Sequence, residues 1–346
     1  MGSRRLVRMA AVFAFVSAPT WLASAQTSRD ASTRSTETAR ASAVPRTAWG
    51  DPDLSGVWTT DNMRGVPRER PAEFGTRRYL TDEEYAKRVA QDEKTRTTEA
   101  NRVGAFRNDV GTRTIRQTSQ VVDPPDGKIP LNDEGKRRAA TRSRGSFGEG
   151  PFNTFDDFTL YDRCITRGAV GSFGPAIYGN GSVIAQGPGV VALSYEMVHD
   201  TRIIPLDGRP HIAPTTLQYM GDARGRWEGD TLVVETTNFT GKTAIAGVQH
   251  TEALRLTERF RRVDASTLEY EATIDDPNVY TRPWTLALTL ASSPDHMFPY
   301  ECHEGNLGLR NILSAERAED RALEEDLNKG IVRTRRPTQS TGETEP

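Results

Sequence analysis

The sequence predicts a mainly β protein: an antiparallel meander that closes into a β-barrel, with an inserted N-terminal helix and a short C-terminal helix. From about residue 171 to residue 302, apolar and polar residues alternate in short runs, which is typical of half-buried antiparallel strands. Turn-forming residues separate these runs, as in "LDGRP", "EGD" and "DDPN". About eight or nine strands with short links favour a closed barrel, because closure leaves no strand edge exposed.

The alternating runs predict the individual strands. They are "GSVIAQ", "GVVALSYEMVHD", "TRIIPL", "TTLQYM", "GDTLVVETTNF", "EALRLTERFRRV", "STLEYEATID", "TRPWTLALTLA" and "MFPYECH". Earlier in the chain, Thr81 stands three residues before Glu84, a capping box that predicts a helix over about 80–100. We expect one barrel domain over 48–317, followed by a charged helical or disordered tail at 318–346.

The beginning of the chain predicts export. A basic start, an apolar stretch and the small residues Ala23-Ser24-Ala25 indicate a signal peptide over residues 1–25. Arg4-Arg5 leaves twin-arginine export open beside the general secretory route. Residues 26–47 are polar and predict a disordered arm. We therefore expect a periplasmic or secreted protein without a membrane span.

Composition narrows the partners. The 346 residues carry a formal charge of −2, with 27% charged and 36% hydrophobic residues. These values are typical of an ordinary globular protein and do not indicate a nucleic-acid partner. We expect a small hydrophobic or aromatic molecule as the partner, whereas the oligomeric state stays open.

The chain contains 2 cysteines, Cys164 and Cys302. In an oxidising compartment an even count is most simply interpreted as one disulfide. The alternative is a reactive thiol on Cys302, which requires Cys164 to be unpaired.

Polar residues on the apolar strand faces are the candidate functional groups. Alternation places Glu258 on the apolar face of its strand, Arg282 at the start of another such face and His199 at the end of a third. A buried charge is costly unless it is paired, so a Glu258–Arg282 ion pair is expected, either purely structural or part of a polar patch with His199. The residues expected to line a ligand are Tyr195, Asn238, Trp284 and Tyr300.

The stretch "YECHEGNLG" adds two candidates, His303 and Glu304. Alternation places Tyr300, Cys302 and Glu304 on one face and His303 on the other, with Tyr300 in the core. Either His303 or Glu304 could therefore face the mouth of the barrel. A histidine carries protons near neutral pH, and a nearby carboxylate would set its tautomer.

Metal and cofactor sites are not expected. The histidines and acidic residues lack HExxH, facial-triad or zinc-ribbon spacing. No GxSxG nucleophile elbow is present in the sequence either.

Two resemblances support the fold. "LSGVW" resembles the Gly-x-Trp opening of lipocalin-like barrels, in which the tryptophan closes the barrel floor. "EMVHDTRIIPLDGRPH", "GRWEGDTLVVETTNF", "RFRRVDASTLEYEATIDDP" and "YECHEGN" resemble the motifs of a family of secreted, mostly uncharacterised bacterial proteins, over about residues 50 to 317. That resemblance implies a shared lipocalin-like barrel and export, and no activity.

Two functions are expected from these residues. The first is cofactor-independent acid/base chemistry on a small apolar or aromatic molecule by an isomerase, lyase or hydrolase. His199 would be the base or acid, Glu258 or Glu304 its partner, and Arg282 a stabiliser of negative charge. The second is a non-catalytic periplasmic carrier in which Arg282, Asn238 and Tyr195 orient the ligand. A structural or protein-interaction module is a third possibility, if the barrel is fully packed.

Overall fold

The structure, a computed structural model, describes four ranges of the chain: 44–100, 111–140, 150–298 and 300–335. The predicted leader at 1–25 and most of the predicted arm at 26–47 lie outside the described residues. The end of the tail, 336–346, also lies outside them.

Strands dominate the described residues. They are β1 Gly56–Thr59, β2 Val121–Asp123, β3 Gly181–Gly187, β4 Val190–Tyr195, β5 Thr201–Pro205, β6 Asp222–Glu228, β7 Thr231–Thr237, β8 Ala244–Ile245, β9 Val248–Gln249, β10 Arg255–Asp264, β11 Thr267–Asp275 and β12 Trp284–Ser292. The α-helices are α1 Asp82–Ala100, α2 Asp133–Ala140 and α3 Gly308–Asn328.

One antiparallel sheet curls into a nearly closed barrel, so the predicted fold class is confirmed. Its strand order is β5-β4-β3-β1-β12-β11-β10-β7-β6, with β2 added to the edge of β12, while β8 and β9 form a separate hairpin. The barrel is therefore not a simple meander, because β1 joins two meanders by pairing with both β3 and β12.

Side chains close the seam between β5 and β6, the two ends of the strand order. A Cβ atom built on Gly225 of β6 would lie 2.8 Å from Cγ2 of Ile204 and 2.5 Å from Cδ2 of Leu206. Because β5 and β6 are not neighbours in the hydrogen-bonded order, apolar contacts rather than a backbone ladder hold this seam.

The two ends of the barrel differ in their connections. At one end, short hairpins join β3 to β4, β6 to β7 and β10 to β11. At the opposite end lie the longer links between β1 and β3, β7 and β10, and β11 and β12, together with the turn at 196–200. We call this second end the loop end. Binding and catalytic groups concentrate on loops that a rigid scaffold positions, so a site is expected at the loop end.

The tryptophan of "LSGVW" is buried. Trp58 is 1% exposed, and its Nε1 donates to the Leu54 carbonyl over 2.9 Å. The Arg262 guanidinium lies 5.3 Å from the Trp58 ring centroid. The residue therefore belongs to the core of the barrel.

The helices agree with the sequence in part. The capping box at α1 is present: the Thr81 N–H donates to Glu84 Oε2 over 2.8 Å, and the Glu84 N–H donates to Thr81 Oγ1 over 3.3 Å. Helix α3 begins at Gly308, earlier than the charged stretch predicted, because its first turns carry Leu313 against Phe152 and Phe158. Helix α2 was not predicted.

Two predicted strands are wrong. "TTLQYM" is a loop: its Thr216 carbonyl, and the Ala213 carbonyl just before it, accept hydrogen bonds from the Asn238 side chain. "MFPYECH" forms no strand in its described residues, and the Tyr300 N–H donates to the His199 ring instead of to a neighbouring strand. Strand β4 ends at Tyr195, so His199 does not continue its inner face.

Candidate functional site

A buried ion pair occupies the barrel interior. Arg202 donates to both Glu258 oxygens, over 2.9 Å from Nη1 and 2.5 Å from Nη2. The Tyr270 hydroxyl donates to Glu258 over 3.0 Å, and Thr236 Oγ1 accepts from Arg202 over 3.0 Å. Tyr195 completes the set, 3.4 Å from Arg202 Nη1. These five residues, which we call the interior network, are at most 4% exposed.

Aromatic rings fill the space around the interior network. Phe173, which is 1% exposed, has its ring centroid 5.0 Å from that of Tyr195 and 4.6 Å from that of Tyr270. Burial raises the pKa of both phenols above the ordinary range, so both stay neutral: Tyr270 donates to Glu258 and Tyr195 accepts from Arg202. Within the described residues, Arg202 Nε is buried without a hydrogen-bond partner, whereas both Nη atoms and both Glu258 oxygens are paired. A buried pair bonded in this way orders the core.

The predicted partner of Glu258 is wrong. Arg282 is exposed and pairs with Asp123 over 2.7 Å, outside the interior. The prediction that Glu258 lies on an inner face is confirmed, but its cation is Arg202, which alternates with Ile204 on the buried face of β5. His199 is exposed, so His199, Glu258 and Arg282 do not form one site.

The other predicted ligand-lining residues have structural contacts. Trp284 is fully buried with its ring 5.6 Å from that of Tyr280. Asn238 fastens the loop at 212–216 through its side-chain amide. Tyr300 is half-buried at the loop end and not in the core.

The turn between β4 and β5 has an unusual backbone. Val198 and His199 have φ angles of 69° and 57°, and both are non-glycine residues. The left-handed region costs about 1–2 kcal/mol per residue, and a β-branched residue there is a genuine outlier. Two consecutive residues of this kind hold the exposed imidazole of His199 against the backbone of Tyr300.

That contact sets the tautomer of His199. The Tyr300 N–H donates to His199 Nε2 over 2.5 Å. A neutral imidazole that accepts at Nε2 carries its proton on Nδ1. His199 therefore presents an N–H donor on an exposed ring at the loop end.

Three tyrosines lie close to this turn. The rings of Tyr178 and Tyr300 are 6.3 Å apart, and the Tyr161 hydroxyl donates to Met197 Sδ over 3.3 Å. The Arg167 guanidinium lies 5.4 Å from the centroid of the Tyr161 ring. We call Tyr161, Tyr178 and Tyr300 the tyrosine cluster.

The tyrosine cluster is a set of neutral phenols next to a cation. Burial raises the pKa of Tyr161 and of Tyr300 above the ordinary value, and hydrogen bonding links the Tyr300 phenol to those of Tyr178 and Tyr161. Neutral phenols donate hydrogen bonds to an oxygen that gains negative charge, and Arg167 adds positive charge beside them. The cluster therefore has the chemistry to stabilise an enolate or phenolate.

The predicted disulfide is confirmed and anchors the site. Cys164 and Cys302 are bonded, with their Cα atoms 5.7 Å apart. The bridge joins the segment that carries Tyr161 to the segment that carries Tyr300. Cys164 itself has a φ of 56°, so a third left-handed non-glycine residue lies beside the cluster.

His303 and Glu304 lie in the turn after the disulfide, and both are exposed. Their neighbour Asn306 contacts Cys164 Sγ over 3.6 Å, which keeps this turn at the loop end. Their roles stay predictions.

Sequence reasoning missed Tyr161, Tyr178 and Arg167. All three lie in the connection between β1 and β3, where no strand periodicity marks them. The only signal was the disulfide, because pairing Cys164 with Cys302 places Tyr161 near Tyr300. Within the described ranges no group of three or more His, Cys, Asp or Glu side chains could hold a metal ion.

Comparisons with known proteins add no function. No protein-family model matches the chain, and no curated protein matches it either.

Among the helices of the described residues, none is long and apolar enough to span a membrane.

Proposed function

We propose that the protein carries out acid/base chemistry on a small aromatic or apolar molecule at the loop end of its barrel. His199 donates a hydrogen bond to the substrate, and the tyrosine cluster forms the wall against which the substrate binds. The proposal includes export to the periplasm, because the leader predicted at 1–25 would deliver the chain to a compartment in which the Cys164–Cys302 disulfide is stable.

The strained turn at Val198 and His199 carries this proposal. Left-handed non-glycine residues persist only where the surrounding structure enforces them, and they cluster at active sites. Here the enforced conformation places the imidazole against the backbone of Tyr300, whose ring lies 6.3 Å from that of Tyr178. The same turn contacts the Tyr161 hydroxyl through Met197, and Arg167 lies over the Tyr161 ring. A purely structural turn would not require that combination.

The residues have separate roles in the proposal. The His199 Nδ1–H donates a hydrogen bond to the carbonyl oxygen of the substrate, and a water molecule from solvent takes the proton that leaves the α-carbon as the enolate forms. The neutral phenols of the tyrosine cluster and the charge of Arg167 stabilise the negative charge that develops there. Glu258 supports the fold and takes no part in the chemistry.

Deuterium exchange tests this chemistry. Acetophenone and 4-hydroxyacetophenone, incubated with the protein in D₂O, gain deuterium at the α-carbon when their enol forms. We expect the wild-type protein to accelerate this gain in mass, and His199→Ala to abolish the acceleration. His296→Ala is the matched control, since His296 is also an exposed histidine and takes no part in the proposed chemistry. Full exchange activity in His199→Ala would refute the role of His199.

A carrier at the same place is the second candidate. The His199 Nε2 lone pair is already engaged by Tyr300, which leaves no free base on the ring. A carrier would bind an aromatic compound without exchange, and mass spectrometry of the purified protein would recover an unchanged compound in stoichiometric amount.

A further inference from the structure

An open space lies on the outer face of the barrel, and none of the tyrosine cluster lines it. It is a groove of about 240 Å³ between the outer face of β11 and β12 and the residues that precede β2. Its floor includes Glu269, Glu271 and Thr289. Its walls include Arg78, Tyr79, Thr114, Ile115, Arg116 and Gln117. We call it the insertion groove.

The walls of the insertion groove are fixed before any ligand binds. The Leu80 N–H donates to the Arg116 carbonyl over 2.9 Å, and the Thr118 N–H donates to the Arg78 carbonyl over 3.0 Å, so the two walls form a short ladder. Gln117 Nε2 donates to the Ala287 carbonyl of β12 over 3.1 Å, which fastens one wall to the floor.

Helix α1 braces the same wall from outside. Arg88 donates to the carbonyl groups of Ile115 and Gln117, over 3.2 and 2.6 Å. Thr114 Oγ1 donates to Asp92 over 2.7 Å. A groove held at this many points is preorganised, and preorganisation lowers the cost of binding.

The charges in the insertion groove are balanced. Arg78 lies 3.6 Å from Glu271, Arg116 pairs with Asp82 over 2.8 Å, and Glu269 pairs with Arg261 over 2.5 Å. Because each of these charges has a partner of opposite sign, the groove favours neither an anion nor a cation. Its carboxylates accept, its guanidinium groups donate and its hydroxyls do both, which suits a neutral ligand rich in hydroxyl groups.

An exposed aromatic ring completes the groove. Tyr79 is 56% exposed, although its backbone is fixed by a bridge to Gln117. A pyranose ring presents an apolar C–H face that packs on such a ring, while its hydroxyls reach the polar floor. At about 240 Å³ the groove is below the range of about 300–1,000 Å³ for drug-sized ligands and holds a single sugar ring.

We infer that the insertion groove binds one ring of a neutral carbohydrate, with Tyr79 stacked on the sugar and Glu271 accepting its hydroxyls. This site is independent of the proposed chemistry at the tyrosine cluster. In this inference the polar outer face of β11 and β12 contacts the sugar directly.

Titration with single sugars tests the inference. Glucose, galactose, mannose and xylose are added to the full-length protein at millimolar concentrations, and binding is followed by saturation-transfer NMR. We expect saturable binding of at least one sugar, weakened about tenfold by Tyr79→Ala. Phe155→Ala is the control, since Phe155 is 55% exposed but lies outside the groove, and it should leave binding unchanged.

Charged analogues test the neutrality of the site. Glucuronate and glucosamine should bind more weakly than glucose, and Glu271→Gln should weaken glucose binding. No saturable binding of any of the four sugars by the wild-type protein would overturn the inference. Equal binding by Tyr79→Ala, or tighter binding of a charged analogue, would overturn it as well.

Discussion

Among single residues, Glu258 is the one whose environment determines its role most clearly. It is 0% exposed, and its two oxygens accept from Arg202 and Tyr270. The sequence identified Glu258 as a buried charge because it interrupts an apolar strand face. It could not identify Arg202 as the partner, because alternation sorts the faces of one strand and does not show which strands face each other across a closed barrel.

Removing the Glu258 charge should destabilise the protein strongly. Glu258→Gln leaves the buried Arg202 guanidinium without its counter-charge, and breaking a buried pair costs about 3–5 kcal/mol. Urea unfolding measures the loss. The matched control is Glu269→Gln on the neighbouring strand β11, whose pair with Arg261 is about half exposed and contributes at most about 1 kcal/mol. Equal effects of the two substitutions would contradict the assignment.

His250 should make stability depend on pH. It is 1% exposed, its Nδ1 contacts the Thr251 carbonyl over 2.9 Å and its Nε2 contacts the Thr243 hydroxyl over 2.5 Å. Burial lowers the pKa of His250 in the folded protein, and this effect outweighs the negative charge of Asp276, which raises the pKa. The unfolded chain, with an ordinary histidine pKa of about 6.5, then binds the proton first as pH falls.

The sign of this effect follows from linkage. Since the unfolded state binds more protons below about pH 6.5, the free energy of unfolding should fall as pH decreases from there to the lowered pKa and then level off, with a slope of at most about 1.4 kcal/mol per pH unit. Unfolding of wild type and His250→Gln at a series of pH values measures the difference. A His250→Gln curve that keeps the same acid slope would contradict the prediction.

At the scale of elements, the alternation of apolar and polar residues predicted the strands correctly where a strand pairs with its neighbour in sequence. Strands β10 and β11 alternate cleanly and are joined by a turn-forming stretch, and both are present. The pattern failed where a side chain from elsewhere takes the backbone hydrogen bonds. The Asn238 side chain donates to the Thr216 carbonyl in "TTLQYM", and the His199 ring accepts from the Tyr300 N–H in "MFPYECH". Pro299 within "MFPYECH" also disfavours a strand.

The disulfide should contribute more than any hairpin contact. Cys164 and Cys302 are 138 residues apart, and closing a loop of that length stabilises a fold by roughly 4–5 kcal/mol on the loop-entropy account. We expect the Cys164→Ser and Cys302→Ser double variant to lose stability of that order in urea unfolding. It should also show faster hydrogen exchange at residues 300–307. A loss below about 1 kcal/mol would show that the bridge does not tie these segments together.

At the scale of the whole molecule, the proposed function would separate the groups that stabilise the barrel from the groups that carry out chemistry. Its interior is filled by the interior network and aromatic rings, whereas its strained and titratable groups gather at the loop end. The barrel class was predictable from strand periodicity. The candidate site was predictable only in part, because Tyr161, Tyr178 and Arg167 lie in a long connection, and a disulfide rather than any local pattern joins that connection to the segment of Tyr300.

The location of ligand binding distinguishes a site at the loop end from a site in the barrel interior. The chain has 9 tyrosines, and their rings can be labelled with ¹³C and followed by NMR while acetophenone is added. If the ligand binds at the tyrosine cluster, the ring resonances of Tyr161, Tyr178 and Tyr300 should shift saturably. The ring resonances of Tyr195 and Tyr270 should not change. Shifts of Tyr195 and Tyr270 without shifts of the tyrosine cluster would place the ligand in the barrel interior and contradict the proposed site at the loop end.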